Sequence, residues 1–378
     1  MHSSAGNYGA DLQLLTLAAG LDPERYNPLV VLPERGSLAS ALDDAAVETV
    51  LAPLAVLRRA ELGPLGIGRI ARKMRADRRR LGALARDRGV ALVHSNTSVV
   101  LSGDAIARAA GAAHVVHVRE IYAGAGGTRA AWAWPLLRRR LERADALVCV
   151  SRAVAEQFGP GTRARVVNDG LRRAPAPAPR AEARAALGLG PDRFVVALLG
   201  RISDWKGQDV LARALAEPAL AEIGAIGLCA GDPYPGNESA LRELEALRDE
   251  LGLGKRLRLL GFRSDVEVVL GAADAIAVPS TRPDPLPNSA LEAAAAGLPV
   301  VGAAHGGIVE IVRDGVTGRL VEPGSAAALA SALRALADDH DAAHRLGVAG
   351  ATDARERFSA SRMLDEVQRL YDELLRQA

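Results

Sequence analysis

Short apolar runs alternate with longer amphipathic stretches along this chain, and the alternation falls into two series. The first comprises PLVVL (28–32), VETVL (47–51), VALVH (90–94), HVVHV (114–118), ALVCV (146–150) and RVVN (165–168). The second restarts with FVVALL (194–199) and continues through AIGLCA (225–230), RLRLLG (256–261), AIAVP (275–279), PVVGA (299–303) and GRLVE (318–322). Continuous β-rich runs separated by helical periodicity predict parallel strands covered by helices on both faces. Between the series lies Ala174-Pro-Ala-Pro-Ala-Pro-Arg180, whose alternating prolines predict an extended, stiff connection. The expected organisation is an α/β domain over 1–173, a linker over 174–180, a second α/β domain over 181–360, and a C-terminal helix over 361–378. That helix gathers Met363, Leu364, Val367, Leu370, Tyr371 and Leu374 on one side and is expected to pack back on the first domain.

Composition agrees with two cores, because 378 residues at 49% hydrophobic exceed the usual single-domain size. No run approaches the roughly 18 uncharged apolar residues that a membrane-spanning helix needs, and the N-terminus lacks a basic-then-apolar signal pattern. Cytoplasmic residence is therefore expected, with peripheral contact at the inner membrane face as its extension. The two cysteines, Cys149 and Cys229, sit in apolar runs without metal-ligand spacing and are expected to be buried and reduced.

The net charge of +2 conceals an asymmetry: residues 1–174 carry 25 Lys+Arg against 16 Asp+Glu, so that half is at +9 and the remainder at −7. A basic half suits an anionic surface or substrate. Arginines cluster at 69–80 (RIARKMRADRRR) and 138–140, where they fit either an anionic bilayer with a lipid-linked acceptor or the solvated faces of amphipathic helices. Aromatic residues make up only 3% of the chain and do not interleave with the basic runs, which argues against nucleic-acid binding.

Two stretches carry the candidate chemistry. The strand FVVALL runs into Gly200-Arg201 and, five residues on, Lys206. A forked guanidinium and a mobile ammonium suit a pyrophosphate and the charge that develops as it departs. The strand AIAVPS is followed by Asp284 and, eight positions later, Glu292, flanking Pro285-Leu286-Pro287-Asn288-Ser289-Ala290-Leu291. Asn288 or Ser289 is expected to cap the next helix, Leu286, Asn288 and Ser289 can each offer a backbone N–H to an anion, and Glu292 is expected in the first helical turn. The glycine-rich pieces GPLGIG (63–68) and GAGG (124–127) have neither the spacing nor the context of a dinucleotide fingerprint, and no phosphate-loop motif occurs. Hydride transfer and P-loop chemistry are set aside on that ground.

The ordered set of GRxxxxKG after a strand, GDP (231–233), LGF (260–262), AADAIAVPS, the paired acids and GLPVVGAAHGGIVEIVRDGVTGRLVEPG resembles the family-4 retaining glycosyltransferases of the GT-B fold. The resemblance spans nearly the whole chain and is strongest over 195–325. It implies two Rossmann-like domains facing across a cleft, and transfer of a sugar from a nucleoside-diphosphate sugar to the hydroxyl of a sugar, lipid-linked or small-molecule acceptor. Polysaccharide, glycolipid or secondary-metabolite glycosylation would be the setting, with no cofactor and no metal.

By the same resemblance Asp284 contacts donor-sugar hydroxyls, Glu292 the ribose, and Arg201 and Lys206 the diphosphate, while Phe262 and Arg263 neighbour the base. The loop Ser4-Ala5-Gly6-Asn7-Tyr8-Gly9-Ala10-Asp11 matches the family's first glycine loop, in which Gly6 and Gly9 let backbone approach the diphosphate or acceptor. His117 or Arg119 matches a histidine near the reacting centre, and Arg119 and Glu120 fall on the acceptor side. The chain departs from the pattern at three places. Asp284 replaces a glutamate, Leu286 and Pro287 stand for an aromatic and a glycine, and Met1-His2-Ser3 leaves no room for the strand before the glycine loop. Either the sheet lacks that strand or the chain is truncated. Two other readings share the fold expectation: a GT-B epimerase acting on UDP-N-acetylglucosamine, and a non-catalytic nucleotide-sugar-binding subunit.

Overall fold

The computed structural model describes every residue except Asn7, 59–63, 123–128, Pro235 and Ala378, and only the backbone of 64–65 and 129–133. GAGG (124–127), the first glycine of GPLGIG and Asn7 of the glycine loop thus lie outside the described residues. Chain contacts divide the molecule into two units, Met1–Arg172 with Ser359–Ala378, and Arg173–Phe358.

In the first unit the strands are β1 (Leu29–Leu32), β2 (Glu48–Leu51), β3 (Leu92–Ser95), β4 (Ala113–Val118), β5 (Ala146–Cys149) and β6 (Ala164–Val166). All pair in parallel, β1 with β2, and β3 through β6 in sequence order. β4 and β5 are buried along their whole length, as strands covered on both faces must be. No strand is assigned ahead of the glycine loop. Instead, the first two residues bridge the two sheet segments: the His2 N–H donates to the Val31 carbonyl (3.1 Å) and the Asn96 N–H to the Met1 carbonyl (3.0 Å).

The helix Ala360–Leu375 also belongs to this unit. Its apolar side places Met363, Val367, Leu370 and Tyr371 in a core with Leu17, Val115, Val148 and Val167. The chain returns beside its point of departure, since Leu171 bridges Ser359 and the Ala360 N–H donates to the Leu171 carbonyl (3.1 Å).

The second unit holds β7 (Val195–Leu199), β8 (Ile226–Ala230), β9 (Leu257–Gly261), β10 (Ala275–Val278), β11 (Val300–Ala303) and β12 (Gly318–Val321). They form one six-stranded parallel sheet in the order β12-β11-β10-β7-β8-β9, so the winding reverses between β7 and β10. Its core is rich in small and branched side chains, among them Val196, Leu198, Leu211, Leu215, Cys229, Ala277, Val301, Leu329 and Leu333. The proline-alternating residues 174–179 lie in this unit, where the Ala178 N–H donates to the Glu267 carbonyl (2.9 Å) and the helix Arg180–Ala186 follows directly.

Candidate functional site

Reversal of the winding sets β7 beside β10, with Ala275 opposite Val196 and Ile276 opposite Ala197. Connections leave such a switch point in opposite directions, and the carboxyl ends of the two strands open the crevice where sheets of this kind bind ligands. The chain leaves β7 through Gly200–Gly207 and β10 through 279–287, so both charged motifs stand at this crevice.

The two loops are laced together. The Thr281 N–H donates to the Trp205 carbonyl (2.8 Å), Arg282 pairs with Asp204, and the Lys206 Nζ donates to Asp284 Oδ2 at 2.5 Å. Gly207 has φ 82°, and a Cβ there would lie 2.1 Å from the Pro279 carbonyl oxygen, so only glycine gives both the left-handed turn and the close approach. A third loop, after β11, closes from the other side. The Gly307 N–H donates to the Asp284 carbonyl (2.7 Å), and a Cβ at Gly307 would fall 2.0 Å from the Pro285 carbonyl oxygen. His305 Nε2 lies 2.8 Å from the Ser280 carbonyl oxygen. A carbonyl only accepts, so His305 carries its ring proton on Nε2. His305 was not singled out in the sequence, although the HGG that bears it follows a strand end.

The helix Asn288–Ala295 begins immediately after Pro287, which occupies the N-cap position and makes no side-chain cap. This corrects the expectation that Asn288 or Ser289 caps it: both are in the first turn, and Glu292 lies beyond that turn. Proline fixes its own φ and gives up no needed N–H, so the helix can start at the next residue. The Asn288 and Ser289 N–H groups stand at the helix start, where no intrahelical acceptor exists, and Leu286 is buried beside them. Asn288 Oδ1 is buried without a hydrogen-bond partner among the described residues. Desolvation, reinforced by the charge of Glu267, pushes the Glu292 carboxyl up to about 7. No basic group among the described residues forms an ion pair with it, and a polar ligand would relieve that desolvation.

Arg201 is half-buried at the end of β7, where the Gly200 N–H donates to the Ala230 carbonyl (3.0 Å) and the Ile202 N–H to the Asp232 carbonyl (3.2 Å). The Arg201 guanidinium carbon lies 3.9 Å from the centroid of the Tyr234 ring. Asp232 Oδ1 accepts from the Phe262 N–H (3.1 Å), which ties the loop after β9 to the same edge. The Phe262 ring is exposed, and Arg263 is held by Asp265 at 2.5 Å. Sequence reasoning missed Asp232 and Tyr234. Their signal was present as a polar and an aromatic residue directly after a strand, in GDPYPG.

In the first unit His117 is buried in β4 and Arg119 follows on the same side, with Nη2 3.4 Å from His117 Nδ1. A guanidinium only donates, so Nδ1 accepts and the ring proton sits on Nε2, which has no partner among the described residues. Burial holds His117 well below the usual histidine range, helped by the nearby charges of Arg119 and His94, and the ring is neutral. Arg119 Nη1 is 2.5 and 2.6 Å from the two carboxylate oxygens of Asp169, its Nε donates to the Asn96 carbonyl (3.2 Å), and both ion-pair side chains are under a tenth exposed. The Glu120 carboxyl accepts from the Arg119 N–H (3.0 Å) and from Ser98 Oγ, while burial raises its pKa. Gly9 opens the helix Gly9–Gly20, with the Tyr8 N–H donating to Asp11 Oδ2 (3.0 Å), and Gly6 precedes that turn. Asp169 and Asn96 escaped sequence reasoning because strand-end polar residues reveal their pairing only once the strands are ordered.

Among the described residues no cluster of three or more His, Cys, Asp or Glu side chains could hold a metal ion, and no helix is long and apolar enough to cross a membrane.

Comparison with known proteins adds to this geometry. Residues 179–353 match the family described as Glycosyl transferases group 1, and residues 9–171 the one described as Glycosyltransferase Family 4. The D-inositol 3-phosphate glycosyltransferase of Mycobacterium sp. (strain KMS) is 47% identical over 148 residues, 39% of this chain and 33% of the relative. The enzyme of that name from Nocardia farcinica (strain IFM 10152) is 40% identical over 176 residues, 46% of this chain and 39% of the relative. These matches span only about a third of the relatives' length. The crystal structure of HepE from Anabaena in complex with UDP and glucose superposes with a TM-score of 0.83 at 25% identity, covering 99% of this chain and 98% of that one. Two matched family domains, parallel sheets in both units and the charged loops at the switch point together make this chain a member of the family-4 glycosyltransferases with the GT-B fold.

Proposed function

We propose that the chain transfers a glycosyl group from a nucleoside-diphosphate sugar to an acceptor hydroxyl, with retention of anomeric configuration. The observation that carries the reading is the placement of Arg201, Lys206 and Asp284 on the loops that leave β7 and β10, with Glu292 in the helix that follows the second loop. Arg201 and Lys206 bind the diphosphate and stabilise the charge that builds on it as the bond from the anomeric carbon to phosphate oxygen breaks. The acceptor oxygen forms the new bond on the same face, and its proton passes to the departing phosphate, so no protein nucleophile is required. Asp284, anchored by Lys206, faces the donor-sugar hydroxyls, and Glu292 the ribose. The neutral His117, with Nε2–H as its free donor, suits orientation of a hydroxyl rather than proton abstraction.

Support comes from relatives named as glycosyltransferases and from HepE, which crystallised with UDP and glucose. The test is a panel of nucleoside-diphosphate sugars, UDP-linked ones first, assayed for free nucleoside diphosphate in the presence of polyol and sugar acceptors. Release with at least one donor is expected. Tight binding without release by any acceptor would make the chain a nucleotide-sugar-binding protein instead.

A further inference from the structure

We infer that Tyr234 is a positioning residue for donor binding and acts through Arg201. The inference rests on the donor reading of the switch-point site. Tyr234 is 48% exposed, a large aromatic side chain left in solvent in a chain with few of them, and its ring lies 3.9 Å from the Arg201 guanidinium carbon. At that separation the guanidinium sits on the face of the ring, where the aromatic quadrupole attracts it.

The geometry fits positioning rather than covering. Stacking uses the face of the guanidinium, whereas phosphate oxygens accept hydrogen bonds from its in-plane N–H edge. One arginine can therefore hold the ring and the diphosphate at once, and the ring removes rotamers that ligand binding would otherwise have to freeze.

The loop is itself fixed on both sides of the ring. Ile202 forms a bridge with Pro233, the Ile202 N–H donates to the Asp232 carbonyl (3.2 Å), and the Asn237 N–H donates to the Tyr234 carbonyl (2.8 Å). Asp232 Oδ1 also receives the Phe262 N–H (3.1 Å). Tyr234 thus projects from backbone tied to the ends of β7 and β9, and its ring fixes the cation standing at the end of β7.

The experiment is calorimetric titration of UDP and of the other common nucleoside diphosphates into the full chain and its variants. Tyr234→Ala should weaken binding of the preferred diphosphate roughly five- to tenfold, the range set by a partly desolvated cation–π contact. Tyr234→Phe, which keeps the ring, should recover most of that loss. In an Arg201→Ala background, Tyr234→Ala should cause no further loss, because the interaction it serves is already gone. An equal loss in both backgrounds would overturn the inference by showing that Tyr234 contacts the ligand itself, and tighter binding by Tyr234→Ala would overturn it by making the ring a cover. Should the unchanged chain bind no nucleoside diphosphate, the donor reading of the site fails and this inference with it.

Discussion

Lys206 and Asp284 meet at 2.5 Å, joining the loop after β7 to the loop after β10 across the point where the sheet reverses its winding. Asp284 is buried and Lys206 a quarter exposed, so the pair is partly shielded from solvent. The ammonium thereby has two tasks in the proposed reaction: it neutralises a buried carboxylate and it faces the diphosphate.

These tasks separate by mutation. Lys206→Ala should lower kcat by on the order of 10²-fold and destabilise the chain by about 1–3 kcal/mol, because a buried carboxylate loses its counter-charge. Asp284→Asn should retain nucleoside diphosphate affinity while turnover falls, since the ammonium stays available to phosphate. Steady-state kinetics beside thermal melting check both. Equal loss of diphosphate affinity in the two variants would contradict the division.

Glu292 makes the second unit sensitive to pH. Its carboxyl is pushed up to about 7 in the folded chain, above the ordinary 4.5. Between those values the folded state holds a proton that the unfolded state has released, so stability falls as pH rises through the window. Glu292→Gln removes that term and should raise stability relative to the unchanged chain by up to about 3 kcal/mol at pH 8, with the difference vanishing near pH 4. Urea unfolding at the two pH values measures it, and a pH-independent difference would contradict the desolvation account.

Buried histidines act in the opposite direction in the first unit. His94, His114 and His117 are all held below the usual 6.5 by burial, His114 at about 4. Below pH 6.5 the unfolded chain takes up protons that these rings refuse, so stability is lost as pH falls from 6.5 to the folded values. The His114 ring, hydrogen-bonded to Ser95 Oγ at 3.0 Å, accounts for about 3 kcal/mol of this between pH 6.5 and 4. His114→Gln should therefore gain about that much on the unchanged chain when the two are compared at pH 4 rather than pH 7. Parallel unfolding profiles for the two proteins would sink the idea.

Much of the fold was legible as pattern. Each apolar run from PLVVL to GRLVE overlaps one observed strand, and the C-terminal helix buries the side carrying Met363, Val367, Leu370 and Tyr371. Strand and helix periods are local consequences of where side chains point, so a single chain displays them. The helix start at Asn288 was misplaced by reading Asn288 and Ser289 as caps, because capping preference is a local average that Pro287 overrode. The two acids and two cations were likewise legible as charges beside strand ends. What Asp232, Tyr234, Asp169 and His305 touch was not, since each takes its meaning from a partner 25–50 residues away.

By itself, then, the sequence determined that the chain forms two series of parallel strands and helices, and that charges follow particular strands. Only the tertiary structure decided that β7 lies against β10. Strand order depends on which way each crossover turns, and every crossover here joins similar apolar runs through similar helices. That one adjacency brings Lys206 to Asp284, 78 positions apart, and makes two separate charged loops a single site.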